Sequence, residues 1–162
     1  MTGNLAQVKK LFFTEEAVIH AMDAVTRRAL SRFGAFVRQT ARHSIHSRDG
    51  VSAPGRPPHS HTGLLKRFIF FSYDPGSRSV VIGPARLNGY GQGEAPALLE
   101  YGGRTTWSHL KQVGWYGSSR APKYERVQAS VYVRPRPYMG PAFEKEKAKL
   151  PEIWRNSIGY TA

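Results

Sequence analysis

From residue 14 to about residue 45, apolar side chains recur every three or four positions, at Val18, Met22, Val25, Ala29, Phe33 and Phe36. That spacing gathers them on one face of an α-helix and predicts a single helix of roughly 30 residues, about 45 Å long. Thr14 stands just ahead of Glu15 and Glu16, so a capping hydroxyl and two carboxylates meet the positive end of the helix dipole. Gly34 is the one weak helix former in the run. No acid occurs between Asp23 and Asp49, while Arg27, Arg28, Arg32, Arg38, Arg42 and Arg48 all do. On a helical wheel Arg27, Arg38 and Arg42 fall opposite the apolar stripe, with Arg28 and Arg32 on its flank, so one face is core and the other basic. Such a face is either a solvated surface or a seat for a polyanion.

Residues 47–63 hold Gly50, Pro54, Gly55, Pro57, Pro58 and Gly63, which excludes both helix and central strand and predicts a long loop. The segments 66-KRFIFFSY-73 and 78-RSVVIGP-84, joined by 74-DPGS-77, read as a β-hairpin. After the glycine-rich 85-ARLNGYGQGE-94, the run 95-APALLEYGG-103 reads as one or two helical turns stopped by Gly102 and Gly103. In 126-RVQASVYVRP-135 strict alternation puts Val127, Ala129, Val131 and Val133 on one face of a strand. A final helix opens at Pro141, and Pro151 divides it in two. The expected fold is α+β: a long N-terminal amphipathic helix and a C-terminal helix packed on a small, mostly antiparallel β-sheet. One domain spans residues 1–162, with an arm or insertion at 103–126.

The chain has 24 Lys plus Arg against 11 Asp plus Glu, a formal charge of +13, so affinity for nucleic acid or another polyanion is physically expected. Cysteine is absent, which excludes disulfides and thiolate metal sites and fits a reducing compartment. No apolar run approaches a membrane span and no secretory signal layout opens the chain, so a soluble protein without membrane partners is expected.

Chemical motifs are sparse. His43 and His46 on the helix and His59 and His61 in the loop form a four-histidine metal cluster only if the loop folds back, and no acid lies between Asp49 and Asp74 to orient them. Neither a Walker-type phosphate loop nor a Rossmann glycine pattern is present, since 89-GYGQGE-94 lacks the flanking strand and helix. The dense acids Glu144 and Glu146 are interleaved with lysines as on a solvated helix face, and no serine sits in a nucleophile elbow. No catalytic, cofactor or metal residue is assigned. Any DNA contact would be to backbone phosphate, because no recognition motif is present.

The order of the segments adds a resemblance. The long helix, the loop ending in Thr62-Gly63-Leu64-Leu65, the hairpin ending in 80-VVIGP-84, then Glu100-Tyr101-Gly102, and finally Arg136-Pro137-Tyr138-Met139-Gly140-Pro141-Ala142 together resemble the tail-completion proteins of long-tailed bacteriophages. This is the tail-component or neck family that includes minor tail protein Z-like proteins, and the resemblance runs from about residue 14 to 155. It implies a virion protein, assembled in the host cytoplasm, that forms a homo-oligomeric and usually hexameric ring at the head-proximal end of the tail. The ring's partners would be tail tube or terminator subunits, head connector subunits, and genomic DNA passing through the lumen without sequence readout. No cofactor is implied.

Segment 103–126 is longer than the tight connection of many relatives. Its Trp107, Trp115 and Tyr116 are costly to leave bare, so they are candidates for a subunit interface, or else pack as a hairpin on their own domain. Arg27, Arg28, Arg38 and Arg42 are the candidates for the lumen. A tail terminator, a connector component, and a free DNA-binding protein without sequence specificity stay open as alternatives. The proline loop reads as scaffold, with Gly63 turning the chain into the first strand.

Overall fold

A computed structural model describes residues 15–85, 95–117 and 121–159. Helix α1, Glu15–Ser44, is unbroken; the capping residue expected at Thr14 and the glycine-rich 89–94 lie outside the described residues. Short helix α2 (Leu64–Arg67) precedes hairpin strands β1 (Ile69–Asp74) and β2 (Ser79–Pro84). Helix α3 (Ala95–Tyr101) leads to strands β3 (Gly103–Tyr116) and β4 (Ala121–Val133), and helices α4 (Met139–Lys147) and α5 (Leu150–Ile158) end the described chain. The α+β class expected from the sequence is the observed one.

The apolar stripe of α1 is buried from Val25 onward, through Ala29, Phe33, Val37 and Ala41, and continues into Ile45 just past the helix. Ile69, Tyr138, Ala142 and Ile153 close this core from the hairpin and the two last helices. Val18 and Met22 share the spacing but are exposed, because the first turns of α1 extend past the described elements that pack on it. Phe36, expected in the stripe, is half-buried, with the Arg32 guanidinium 5.7 Å from its ring centroid.

Gly34 explains itself in three dimensions. A Cβ there would lie 2.8 Å from Val80 Cγ2 and 2.9 Å from Phe71 Cδ2, so the missing side chain lets β1 and β2 settle against the helix. At the far end of the hairpin Asp74 accepts from the Gly76 N–H and the Ser77 hydroxyl, and these bonds, Ser77's first, hold its carboxyl below the usual range. Arg78, next to the turn, pairs with Asp23 of α1 at 3.1 Å.

Three expectations are adjusted. Lys66 and Arg67 belong to helix α2, and strand begins only at Ile69, since Gly63 at φ 70 starts a helical turn before the extended segment. The strands do not join in one sheet: β1 pairs only with β2 and β3 only with β4 among the described residues. The alternating segment 126–135 is thereby the return limb of the arm, which runs from Gly103 to Val133 instead of ending at 126. The division at Pro151 holds, with the proline in the first turn of α5.

Candidate functional site

Tyr138 is the N-cap residue of helix α4, and its side chain makes no capping hydrogen bond. The first free N–H groups of a helix need an acceptor, and here it comes from about forty residues upstream. The Glu100 carboxylate accepts from the N–H groups of Tyr138 (2.9 Å), Met139 (3.0 Å) and Gly140 (2.7 Å), placing a negative charge on the positive end of α4. The Arg136 N–H donates to Leu99 O and the Gly102 N–H to Leu98 O. Gly102 has φ 72, and a Cβ there would meet Val133 O and Pro135 Cδ, each at 2.9 Å. The Glu100-Tyr101-Gly102 and Arg136-to-Pro141 segments, singled out separately in the sequence, therefore meet at one node. Tyr138 is buried at its centre, and burial first, then the Glu100 charge, pushes its phenol well above its ordinary value.

The proline loop is tied to the same node. Arg136 Nε donates to Ser52 O at 2.9 Å and the Gly55 N–H to Pro135 O at 2.9 Å. At the loop's ends the Ser60 N–H donates to His46 O. Thr62 and Gly63 start α2: the Leu64 N–H points to the Thr62 hydroxyl at 3.4 Å, and the Arg67 N–H donates to Gly63 O. Leu65 packs on the core while Leu64 is exposed.

Of the four lumen candidates, two are engaged. Arg38 Nε donates to Ile69 O at 2.8 Å, and Arg28 Nη1 lies 3.3 Å from Ser157 O. Arg27 is exposed beside Ser72 and Tyr73 of β1, and Arg42 is half-buried near the C-terminal end of α1. The arginine face is thus partly a clamp on β1 and α5 and only partly an open surface.

The histidines do not converge. His46 and His59 form a backbone bridge, His59 Nδ1 is 3.3 Å from Gly50 O, and His61 lies 3.8 Å from Asp49. Among the described residues no three His, Asp or Glu side chains gather as a metal would require. Glu146 is the buried carboxylate: Lys149 Nζ at 2.8 Å and the Thr40 hydroxyl at 2.7 Å donate to it. Those bonds, Lys149's foremost, hold it below the usual range against the opposing effect of burial. It ties α4 to α1.

The arm contrasts with all of this. Strands β3 and β4 pair along their length, with an irregularity between Gln112 and Gly114, and the ribbon's main support outside itself is α3 at its base. Trp107 is 57% exposed and Trp115 62%; Trp107 stacks on His109 at 4.5 Å. Tyr116, Tyr124 and Tyr132 are exposed too. Sequence reasoning marked Trp107, Trp115 and Tyr116 but missed Leu110 and Tyr124 within the same segment, and Tyr132, which only the strand pairing places on the ribbon. No protein-family model, curated protein or solved structure matches the chain.

Proposed function

We propose that this chain is a non-enzymatic structural protein of a long-tailed phage, completing the tail and joining it to the head as a ring around the DNA channel. The observation that carries this reading is the arm. A ribbon of thirteen to fourteen residues a side presents tryptophans and tyrosines beyond a domain whose own core it does not close. Large exposed aromatics mark association surfaces, and a ring needs one heterologous contact repeated until it closes.

The charge supports the same role. At +13 per chain a closed ring is a strongly positive annulus, which DNA enters with release of counterions and without base readout. The resemblance to the tail-completion family, carried by the order of its segments, supports a position for that ring at the neck, with tail tube or terminator subunits on one side and connector subunits on the other.

The test is electron microscopy of lysates from a phage or induced prophage carrying an early stop codon in this gene, with and without complementation. Filled heads beside separate tails of normal length are expected. Tails of abnormal length would assign a terminator role instead. Intact infectious particles would overturn the structural reading and favour a free DNA-binding protein.

A further inference from the structure

The layers of the domain are unequal. Strands β1 and β2 lie over α1, with Val80 and Phe71 against Gly34, but α4 lies beside α1 and has no strand above it among the described residues. Between β2 and α4 runs a cleft floored by Val37, Val80, Ile82, Met139 and Phe143, which continues past Ile82 toward Pro84 and Tyr101. A two-stranded sheet is marginal alone and gains from a further strand over its helical layer.

Among the described residues the edge of β2 is open on that side. Strand pairing matches Ile69 with Pro84, and the Ala85 N–H donates to Phe68 O at 2.8 Å. Bonded and non-bonded pairs alternate in an antiparallel ladder, so Val81 and Gly83 bond to β1 while the N–H and C=O of Val80 and Ile82 point outward. The same alternation turns Ile69 O outward on β1, where Arg38 takes it. No described backbone group takes the corresponding edge of β2.

We propose that the β4 limb of a second copy's arm adds to β2 as a third strand and fills this cleft. An added strand supplies main-chain bonds to the edge and sends every other side chain into the groove. Strand β4 offers Val127, Ala129, Val131 and Val133 at that spacing, whereas the β3 residues paired with them are His109, Trp107, Thr105 and Gly103. Charge agrees: among the described residues the charged ones lining the cleft are Glu100, which also accepts from the first amides of α4, and Glu144, 3.7 Å from Lys147 Nζ, while the described arm carries Arg104, Lys111, Lys123 and Arg126 against Glu125. An acidic cleft in a chain of +13 disfavours DNA and suits a basic strand. The inference rests on the ring reading and names its joint: each chain gives an arm and receives one.

The test is amide exchange resolved to single residues by NMR on the full chain, across a concentration series followed by sedimentation velocity. As oligomers form, the Val80 and Ile82 amides are expected to slow by about tenfold or more, with little change at Val81 and Gly83. The exposed Val131→Lys substitution should leave the monomer's α1 amides unchanged and weaken association by about tenfold or more. Oligomers without protection at Val80 and Ile82 would overturn the docking and leave the joining role standing. Protection already present in the monomer, meaning a segment of the same chain fills the cleft, would overturn it too, as would a chain monomeric at every concentration. Intact particles from the stop-codon lysate would remove the joining role while the exchange data still decide the joint.

Discussion

The node around Glu100 and the arm that leaves it are adjacent in space and opposite in kind. At the node, segments near residues 52, 100 and 138 cross and are tied together: three amides bond to one carboxylate, Arg136 bonds to Ser52 O, and Tyr138 is enclosed, with the buried Ser52 hydroxyl left without a partner among the described residues. In the arm the bonds run between two neighbouring strands, and the large side chains face outward. Long-range ties bind the node into the fold, whereas the arm's aromatics contribute little to it, which is the ground for the proposal that the arm meets a partner.

The largest effect should come at the node. Glu100→Ala strips α4 of its remote cap and is expected to cost about 3 kcal/mol of unfolding free energy, measured by urea denaturation. A change under about 0.5 kcal/mol would erase the distinction between the two regions.

Glu146 gives an intermediate effect with a pH signature. Its folded value lies below the ordinary 4.5, so its stabilisation is fully present above that value and is lost as pH falls through the lowered one. Glu146→Gln should cost about 1–2 kcal/mol at pH 7 and flatten the loss of melting temperature below about pH 4.5. An unchanged acid limb would mean that the Lys149 and Thr40 bonds do not tune this group.

The arm should give the smallest effect. Trp107→Ala and Trp115→Ala are each expected to change the unfolding free energy by less than about 0.5 kcal/mol in dilute solution, as exposed substitutions do. A cost above about 2 kcal/mol would show the arm to be part of the folding core.

Helix α1 was legible because a periodic stripe in a long helix is a local signal, and the same holds for the β1–β2 hairpin and the break at Pro151. The pairing of β3 with β4 was less so. Alternation in 126–135 announces a strand but not its neighbour, and the strand belongs to the arm. The role of Glu100 was also hidden, since nothing local links it to residues 138–140. One clue was present: α4 starts after Tyr138, without a Ser, Thr, Asp or Asn to cap it, which asks for an acceptor from elsewhere. Arg38 read as part of an open basic face because the carbonyl it takes, Ile69 O, is a backbone group that a helical wheel does not contain.

Gly102 has a mechanical consequence. The arm leaves the domain where Gly102 is pressed against Val133 O and Pro135, so both limbs are gripped at one fulcrum. A ribbon of thirteen residues reaches about 40 Å, and at that length a tilt of about 5° at the base carries the tip roughly 4 Å. In the proposed ring, the angle at which neighbouring subunits meet is thus geared to a single left-handed glycine, and small adjustments there become large displacements where the arm ends.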